Sequence, residues 1–230
     1  MNYKVRMYNI QRLGISMDDK TKLGPEPEAF AKDPFGYSML GWHKWGLAQE
    51  QAGFPVNLSK GPTGKDLKSP VLWLSHTQAL STAAIALIQN QPNLESLPED
   101  MRGVAHCQYH AVALMLVGYS LESCLKAMVI LRLGVDAYEE TEKKHRHHDL
   151  RRLAEFIPDL SDREKAVLDG LTHFTKWAGR YPDPGFGNVD HSEAVLGISE
   201  KYEVSAKDLF EVAAKVSSYT AVVLSDAASE

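Results

Sequence analysis

The stretch "GYSLESCLKAM", residues 118–128, lies in the middle of the most apolar part of the chain and decides the predicted fold. Apolar residues recur at spacings of three and four on both sides of it, which is typical of an α-helix. Ser96 and Glu99 are spaced as a capping box, and Gly134 stands where a helix would stop. We therefore expect one helix of about ten turns that ends at Leu133. A helix that is apolar around most of its circumference is normally the central helix of a bundle.

Further helices are predicted on both sides of this central helix. Apolar spacing and capping signals place them at residues 69–90, 149–157, 161–178 and from about 205 onward. Ser161 and Glu164 form a second capping box. The charged residues 136–148 are expected to form a loop, and 194–198 are too short to assign to helix or strand. The sequence thus predicts an all-α protein, an antiparallel helical bundle of about five helices with one long central helix.

The N-terminal part of the chain has a different composition. Residues 1–68 are rich in proline and glycine, which interrupt helices and strands, so we expect an irregular N-terminal arm. Residues 69–230 form the predicted helical bundle domain. The arm is too aromatic for a disordered linker, and we expect it to pack on the bundle or on a partner subunit. The aromatic residues are Phe35, Tyr37, Trp42, Trp45 and Phe54.

Composition restricts the classes of function. The net charge is −5 and the pI is about 6.0, so the average charge does not attract nucleic acid and any such binding needs a local basic patch. No apolar segment follows Met1, and His, Tyr, Glu and Lys interrupt the apolar runs before they reach the roughly 20 residues of a membrane span. We expect a cytoplasmic protein that does not enter a membrane.

A polar stripe crosses the apolar central helix. At about 100° per residue, Tyr119, Glu122 and Lys126 fall within one third of its circumference, so the stripe faces either solvent or a polar cleft. Glu122 and Lys126 are also spaced as a simple helix-stabilising pair worth about 0.2–0.5 kcal/mol. Both interpretations stay open from the sequence.

Two other segments carry candidate ligand-binding residues. The segment "EKKHRHHDLRR", residues 142–152, concentrates cations and three histidines and suits a phosphate, although it also fits a solvated loop; Arg146 and His148 are its candidates. These cations would repel a divalent ion, so we expect no metal site. The turn "GRYPDPGFG" places Arg180 and Tyr181 directly after a helix, where Arg180 would clamp a phosphate or pair with Glu122.

Three segments together resemble the HEPN superfamily. "GYSLESCLKAM" is similar to its Tyr, Glu, Lys helix, "HHDLRRLAE" to its His-Asp-Leu segment, and "WAGRYPDP" to an Arg-Tyr-Pro turn of some members. The resemblance implies an all-α homodimer with a cleft at the two-fold interface, in a superfamily named for nucleotide binding that includes many RNA-cleaving toxins and defence proteins. Its ribonucleases carry an Arg, four to six residues and a His. Here only three residues separate Arg102 from His106, which departs from that pattern.

The leading hypothesis is a HEPN-like helical protein that binds a nucleotide or RNA in a polar interhelical cleft, without a cofactor, in a toxin or phage-defence context. The predicted cleft residues are Tyr119, Glu122, Lys126, Arg146, His148, Arg180 and Tyr181. One alternative is a metal-independent ribonuclease with His148 as general base and Arg180 or Arg146 beside it. Another is a structural or regulatory dimerisation protein whose charges form a buried network.

Overall fold

The structure is a computed structural model that describes residues 23–185, 187–188 and 190–227. These residues form helices and no strand, so the predicted all-α fold is confirmed. The chain divides into two compact units after Leu72, within the first turn of a helix that begins at Pro70. Residues 1–22 of the predicted arm lie outside the described residues.

The first unit contains more helix than an irregular arm would. Its helices are α1 (Pro27–Lys32), α2 (Pro34–Ser38) and α3 (Gly41–Gln51), followed by a 3₁₀ turn (Asp66–Lys68). Pro27 and Pro34 occupy first-turn positions, where the missing proline N–H costs nothing. Of its aromatic side chains, Trp42 is buried whereas Phe35 and Phe54 are exposed.

The second unit is a bundle built around one long helix. Its elements are α4 (Pro70–Gln89), α5 (Glu99–Leu133), α6 (Val135–His145), α7 (Leu150–Leu153), α8 (Asp162–His173), a turn of π-helix (Phe174–Ala178), α9 (Asp190–Tyr202) and α10 (Ala206–Ala227). Every residue of α5 from 120 to 130 is buried. The core packs α5 against α7, α8 and α10, with Leu125, Leu150 and Leu168 at its centre. The central helix is therefore where the sequence predicts it.

Both ends of α5 were predicted, one correctly. The helix ends at Leu133, and Gly134 adopts φ 76°, a value that L side chains rarely adopt. The predicted Ser96 and Glu99 capping box is wrong, because the helix begins only after Pro98 and no side chain caps it. A residue that precedes proline is disfavoured in the helical region, which keeps Leu97 out of the helix. The Ser161 and Glu164 capping box of α8, by contrast, is present.

The predicted loop at 136–148 is largely a helix, α6. Its single buried aromatic residue, Tyr138, packs with Val129 and Ile130 of α5 in a small second core. This packing stabilises a segment whose other residues are mostly charged. Residues 194–198, which the sequence left unassigned, lie within α9.

Two helices are long and apolar enough to cross a membrane by length and composition alone, α4 and α5. The sequence had suggested that no run was long enough. More than half of the apolar window of α5 is buried inside the unit, as in the core helix of a soluble protein, whereas little of the window of α4 is buried. These features are weak evidence for a membrane span, and the cytoplasmic location stays a prediction.

We expect Gly118→Ala to lower the free energy of unfolding by about 1–3 kcal/mol. The added Cβ would overlap Cγ2 of Thr175 and lie 3.2 Å from the carbonyl oxygen of Leu171. Gly103→Ala in the same helix is the matched control. No atom lies within 4 Å of its added Cβ, so it should stabilise by roughly 0.5–1 kcal/mol. Urea unfolding followed by circular dichroism measures both, and equal effects would contradict the close packing at Gly118.

Candidate functional site

The carboxylate of Glu122 lies between two cationic or protonatable side chains. Its Oε1 accepts a hydrogen bond from Lys126 Nζ at 2.7 Å, and its Oε2 lies 2.8 Å from His148 Nδ1. The side chains of Glu122 and Lys126 are only 9% and 11% exposed, whereas that of His148 is 43% exposed. The buried pair of Glu122 and Lys126 therefore holds His148 at the surface.

The backbone directly after His148 is anchored by two hydrogen bonds. Glu122 and Lys126 lie on successive turns of α5, and His148 lies in the segment between α6 and α7. After it, Asp149 caps α7 by accepting a hydrogen bond from the Arg152 N–H, at 3.0 Å. The Leu150 N–H donates to Oγ1 of the buried Thr172, also at 3.0 Å. These bonds fix the direction in which His148 leaves the backbone.

Hydrogen bonding determines which nitrogen of His148 carries the proton. A carboxylate paired with Lys126 has no proton to donate, so Nδ1–H of His148 donates to Glu122. The other ring nitrogen, Nε2, is then the one that can meet a ligand from the exposed side. A carboxylate that orients an imidazole in this way is a common arrangement in acid–base sites.

Tyr119 completes this group of side chains. Its ring meets the His148 ring edge to face, with 6.0 Å between centroids. Its hydroxyl donates to the carbonyl oxygen of Thr175, in the π-helical turn, at 3.1 Å. Because the hydroxyl is engaged in this bond, Tyr119 presents mainly its ring beside His148. The sequence-predicted residues Tyr119, Glu122, Lys126 and His148 are thus brought together.

Lys126 is not placed as the sequence suggested. The hypothesis had its ammonium group meeting a ligand phosphate, but the group is buried and bound to Glu122. No buried side-chain nitrogen or oxygen of the described residues lacks a hydrogen-bond partner. The role of Lys126 is therefore to compensate the charge of Glu122.

Arg180 and Tyr181 do not join this group. The adjacent Gly179 packs against Met115 and Ala111, where an added Cβ would lie 2.7 Å from the Ala111 carbonyl oxygen. Glu122 lies seven residues beyond Met115 and eleven beyond Ala111 along α5, which corresponds to about 10–16 Å of helix. Arg180 is exposed, and its guanidinium stacks on the Tyr181 ring at 5.4 Å. The hypothesis that Arg180 pairs with Glu122 is not what the structure shows.

Arg146 lies at the surface, two residues before His148 in the chain. Its side chain is 72% exposed, and its Nη2 lies 3.5 Å from Oε1 of Glu142. An ion pair with this exposure contributes little to stability, about 0–1 kcal/mol. Arg146 can therefore exchange its partner for a ligand anion at small cost.

The sequence analysis assigned Tyr138 and His145 to a loop, so it missed the contact between their rings. Their rings stack 5.5 Å apart, with 14° between the planes. Burial raises the pKa of the Tyr138 hydroxyl, and the negative charge of Glu142 raises it further. The spacing of Val135 and Tyr138, three residues apart at the start of the segment, was the available signal for a helix. No group of three or more His, Cys, Asp or Glu side chains in the described ranges is placed to hold a metal ion.

No protein-family model, no curated protein and no solved structure matches this chain. The HEPN resemblance therefore stays a prediction that depends on the three sequence segments alone.

Glu122→Ala should lower the free energy of unfolding by about 3–5 kcal/mol, because it leaves the Lys126 ammonium buried without a partner. Glu211→Ala is the matched control, since Glu211 forms the same type of pair with Lys207 in α10 with both side chains well exposed. That substitution should change stability by less than about 0.5 kcal/mol. Thermal and urea unfolding measure both variants. A small loss for Glu122→Ala would show that Lys126 reaches water easily.

Proposed function

We propose that this chain is a HEPN-like protein that binds a nucleotide or RNA at the surface formed by Tyr119, Arg146 and His148. The observation that carries the proposal is the half-exposed His148 ring held by the buried Glu122. A buried carboxylate that orients a surface imidazole gives it a fixed direction towards a ligand.

The chemistry of the neighbouring groups favours a phosphate-containing ligand. Nε2 of His148 can donate to a phosphate oxygen when protonated, and Arg146 offers a fork of N–H groups two residues earlier. The edge of the Tyr119 ring lies beside His148 and offers an aromatic surface to a base. Because the protein carries a net charge of −5, Arg146 and protonated His148 would have to supply the local attraction for phosphate.

The arrangement also supports the resemblance. Two of the three segments that carry it, "GYSLESCLKAM" and "HHDLRRLAE", meet through the bond between Glu122 and His148. They are 26 residues apart in the chain, and a bond between them is what a shared site requires. The third segment, with Arg180 and Tyr181, belongs to a different part of the surface. A homodimer, which the resemblance implies, stays a prediction.

We expect His148→Gln to weaken binding of a short labelled single-stranded RNA by about tenfold, since it removes one charge-assisted contact. Fluorescence anisotropy at about 50 mM and 200 mM salt measures the effect, and affinity should fall steeply with salt. His76→Gln is the matched control, because His76 is an exposed histidine on α4. Wild-type affinity for His148→Gln, or affinity independent of salt, would contradict the proposed surface.

A metal-independent ribonuclease is the second candidate, and the Nδ1 bond of His148 to Glu122 favours it. With Nδ1–H bound, Nε2 of neutral His148 could take the proton from a ribose 2′-hydroxyl. The 2′-oxygen would then attack the adjacent phosphorus, the bond to the 5′-oxygen would break, and that oxygen would take a proton from water. Arg146, with its exposed guanidinium, would stabilise the charge on the phosphate.

If the protein is this ribonuclease, His148→Ala should lower the cleavage rate by at least about 100-fold. It should also relieve any growth arrest caused by expression of the protein. An RNA with 2′-deoxyribose at every position should resist cleavage, because it lacks the attacking oxygen. The control is His76→Ala. Gel analysis in the presence of a chelator measures the rates, and cleavage that survives in His148→Ala would remove this residue from the mechanism.

A further inference from the structure

A cavity of about 410 Å³ lies beside α5, α6 and α7, separate from the Glu122 and His148 group. Its lining residues are Val129, Arg132, Leu133, Lys144, His145, His147, Arg152, Leu153, Glu155 and Phe156. This volume falls within the range of sites for small molecules, about 300–1,000 Å³. Tyr119, Glu122 and His148 are not among the lining residues.

Positive charge dominates this cavity. Arg132, Lys144 and Arg152 face a single carboxylate, that of Glu155. Within the described part of the chain, none of these three cations takes part in an ion pair. In a protein of net charge −5, three cations that face only one carboxylate around a cavity repel each other and are stabilised by an anion.

Other side chains give the cavity shape and hydrogen-bond donors. The guanidinium of Arg132 stacks on the Phe156 ring at 4.7 Å, which holds it in place. Nδ1 of His147 accepts a hydrogen bond from the Asp149 N–H at 3.2 Å, so Nε2 carries the proton and can donate. Val129 and Leu153 supply an apolar wall.

Both histidines of the cavity are held in the neutral form at neutral pH. Burial lowers the pKa of His145, and the positive charges of Lys126, Lys144 and Arg152 lower it further. Burial and then Arg152 lower the pKa of His147, with smaller contributions from Lys126 and His145, while Asp149 acts in the opposite direction. At neutral pH the charged groups of the lining are therefore three cations and one carboxylate. The two neutral imidazoles act as hydrogen-bond donors.

We propose that this cavity binds a phosphate monoester of nucleotide size. A terminal phosphate presents three oxygens and up to two negative charges, which match two guanidinium forks and one ammonium group. A phosphodiester within a strand presents two free oxygens and one charge, so it fits these groups less well. The apolar wall and the Phe156 ring would contact the organic part of the ligand. This site does not depend on the function proposed above.

Isothermal titration calorimetry with AMP tests the proposal. AMP should bind, adenosine should not, and Arg132→Gln and Arg152→Gln should each weaken AMP binding by at least about tenfold. Arg151→Gln is the matched control, since Arg151 is the chain neighbour of Arg152, is already paired with Asp169 at 2.9 Å and does not line the cavity. Unfolding temperatures of all variants verify that they fold. Equal binding of adenosine and AMP, or wild-type affinity in both arginine variants, would overturn the proposal.

A second pair of ligands distinguishes the source of the phosphate and separates this site from the His148 surface. If the natural ligand is an RNA end, a 5′-phosphorylated RNA should bind more tightly than the same RNA with a 5′-hydroxyl, and Arg152→Gln should remove the difference. If it is a free nucleotide, the two RNAs should bind alike while AMP still binds. AMP binding that His148→Gln leaves unchanged, without any binding of the 5′-hydroxyl RNA, would refute the function proposed above and leave this one standing. Failure of both AMP and the 5′-phosphorylated RNA to bind would refute this one.

Sulfate keeps two negative charges at every pH above about 4, so the pH dependence of its binding tests the contribution of the two histidines. Because the pKa values of His145 and His147 lie below 6.5 in the folded protein, both gain protons only as the pH falls below that value. Their added charge joins Arg132, Lys144 and Arg152 and outweighs Glu155. Sulfate binding should therefore tighten as the pH falls below about 6.5. The double variant His145→Gln/His147→Gln should lose this dependence, and an unchanged dependence would overturn the assignment of the two histidines to the site.

Discussion

The hydrogen bonds of the Glu122 carboxylate are the constraint on which the rest of the second unit depends. Removing a carboxylate from water is costly unless charged or polar groups replace the lost hydration. Lys126 supplies a charge one turn along the same helix, and His148 supplies a donor from a different element. The second bond ties the segment before α7 to the central helix. A single buried charge thereby orients the surface imidazole that we assign to ligand binding.

The cationic side chains near the site fall into two groups, one buried and paired, the other exposed. Lys126 is buried and neutralised, so it stabilises the fold and is withdrawn from any ligand. Arg132, Lys144 and Arg152 are exposed and line a cavity in which one carboxylate opposes them. His147 and His148 are adjacent in the chain, yet one lines this cavity and the other bonds to Glu122. Two surfaces suited to phosphate groups therefore lie close to each other along the chain without sharing these residues.

Sequence patterns within one helical turn correctly predicted the helix ends that depend only on neighbouring residues. The capping box of Ser161 and Glu164, and the helix stop at Gly134, depend on residues within one turn of each other, and both are present. α6 was missed because its helix depends on one aromatic residue, Tyr138, that packs on α5. Its many charged residues resemble those of a loop, and Val135 and Tyr138 alone mark its apolar side in the sequence. Ser96 and Glu99 failed as a cap because the intervening Pro98 delays the start of the helix.

By itself, the sequence determined the all-α class, the long central helix and the polar stripe on that helix, because these follow from the periodicity of neighbouring residues. Only the tertiary structure decided which groups meet the stripe. Packing of α7 against α5 brings His148 to Glu122 across 26 residues, whereas Gly179 packs against Ala111 and Met115 and keeps Arg180 away. Such pairings depend on how helices stack and on which buried groups need partners. The spacing of residues along the sequence therefore does not reveal how the helices pack.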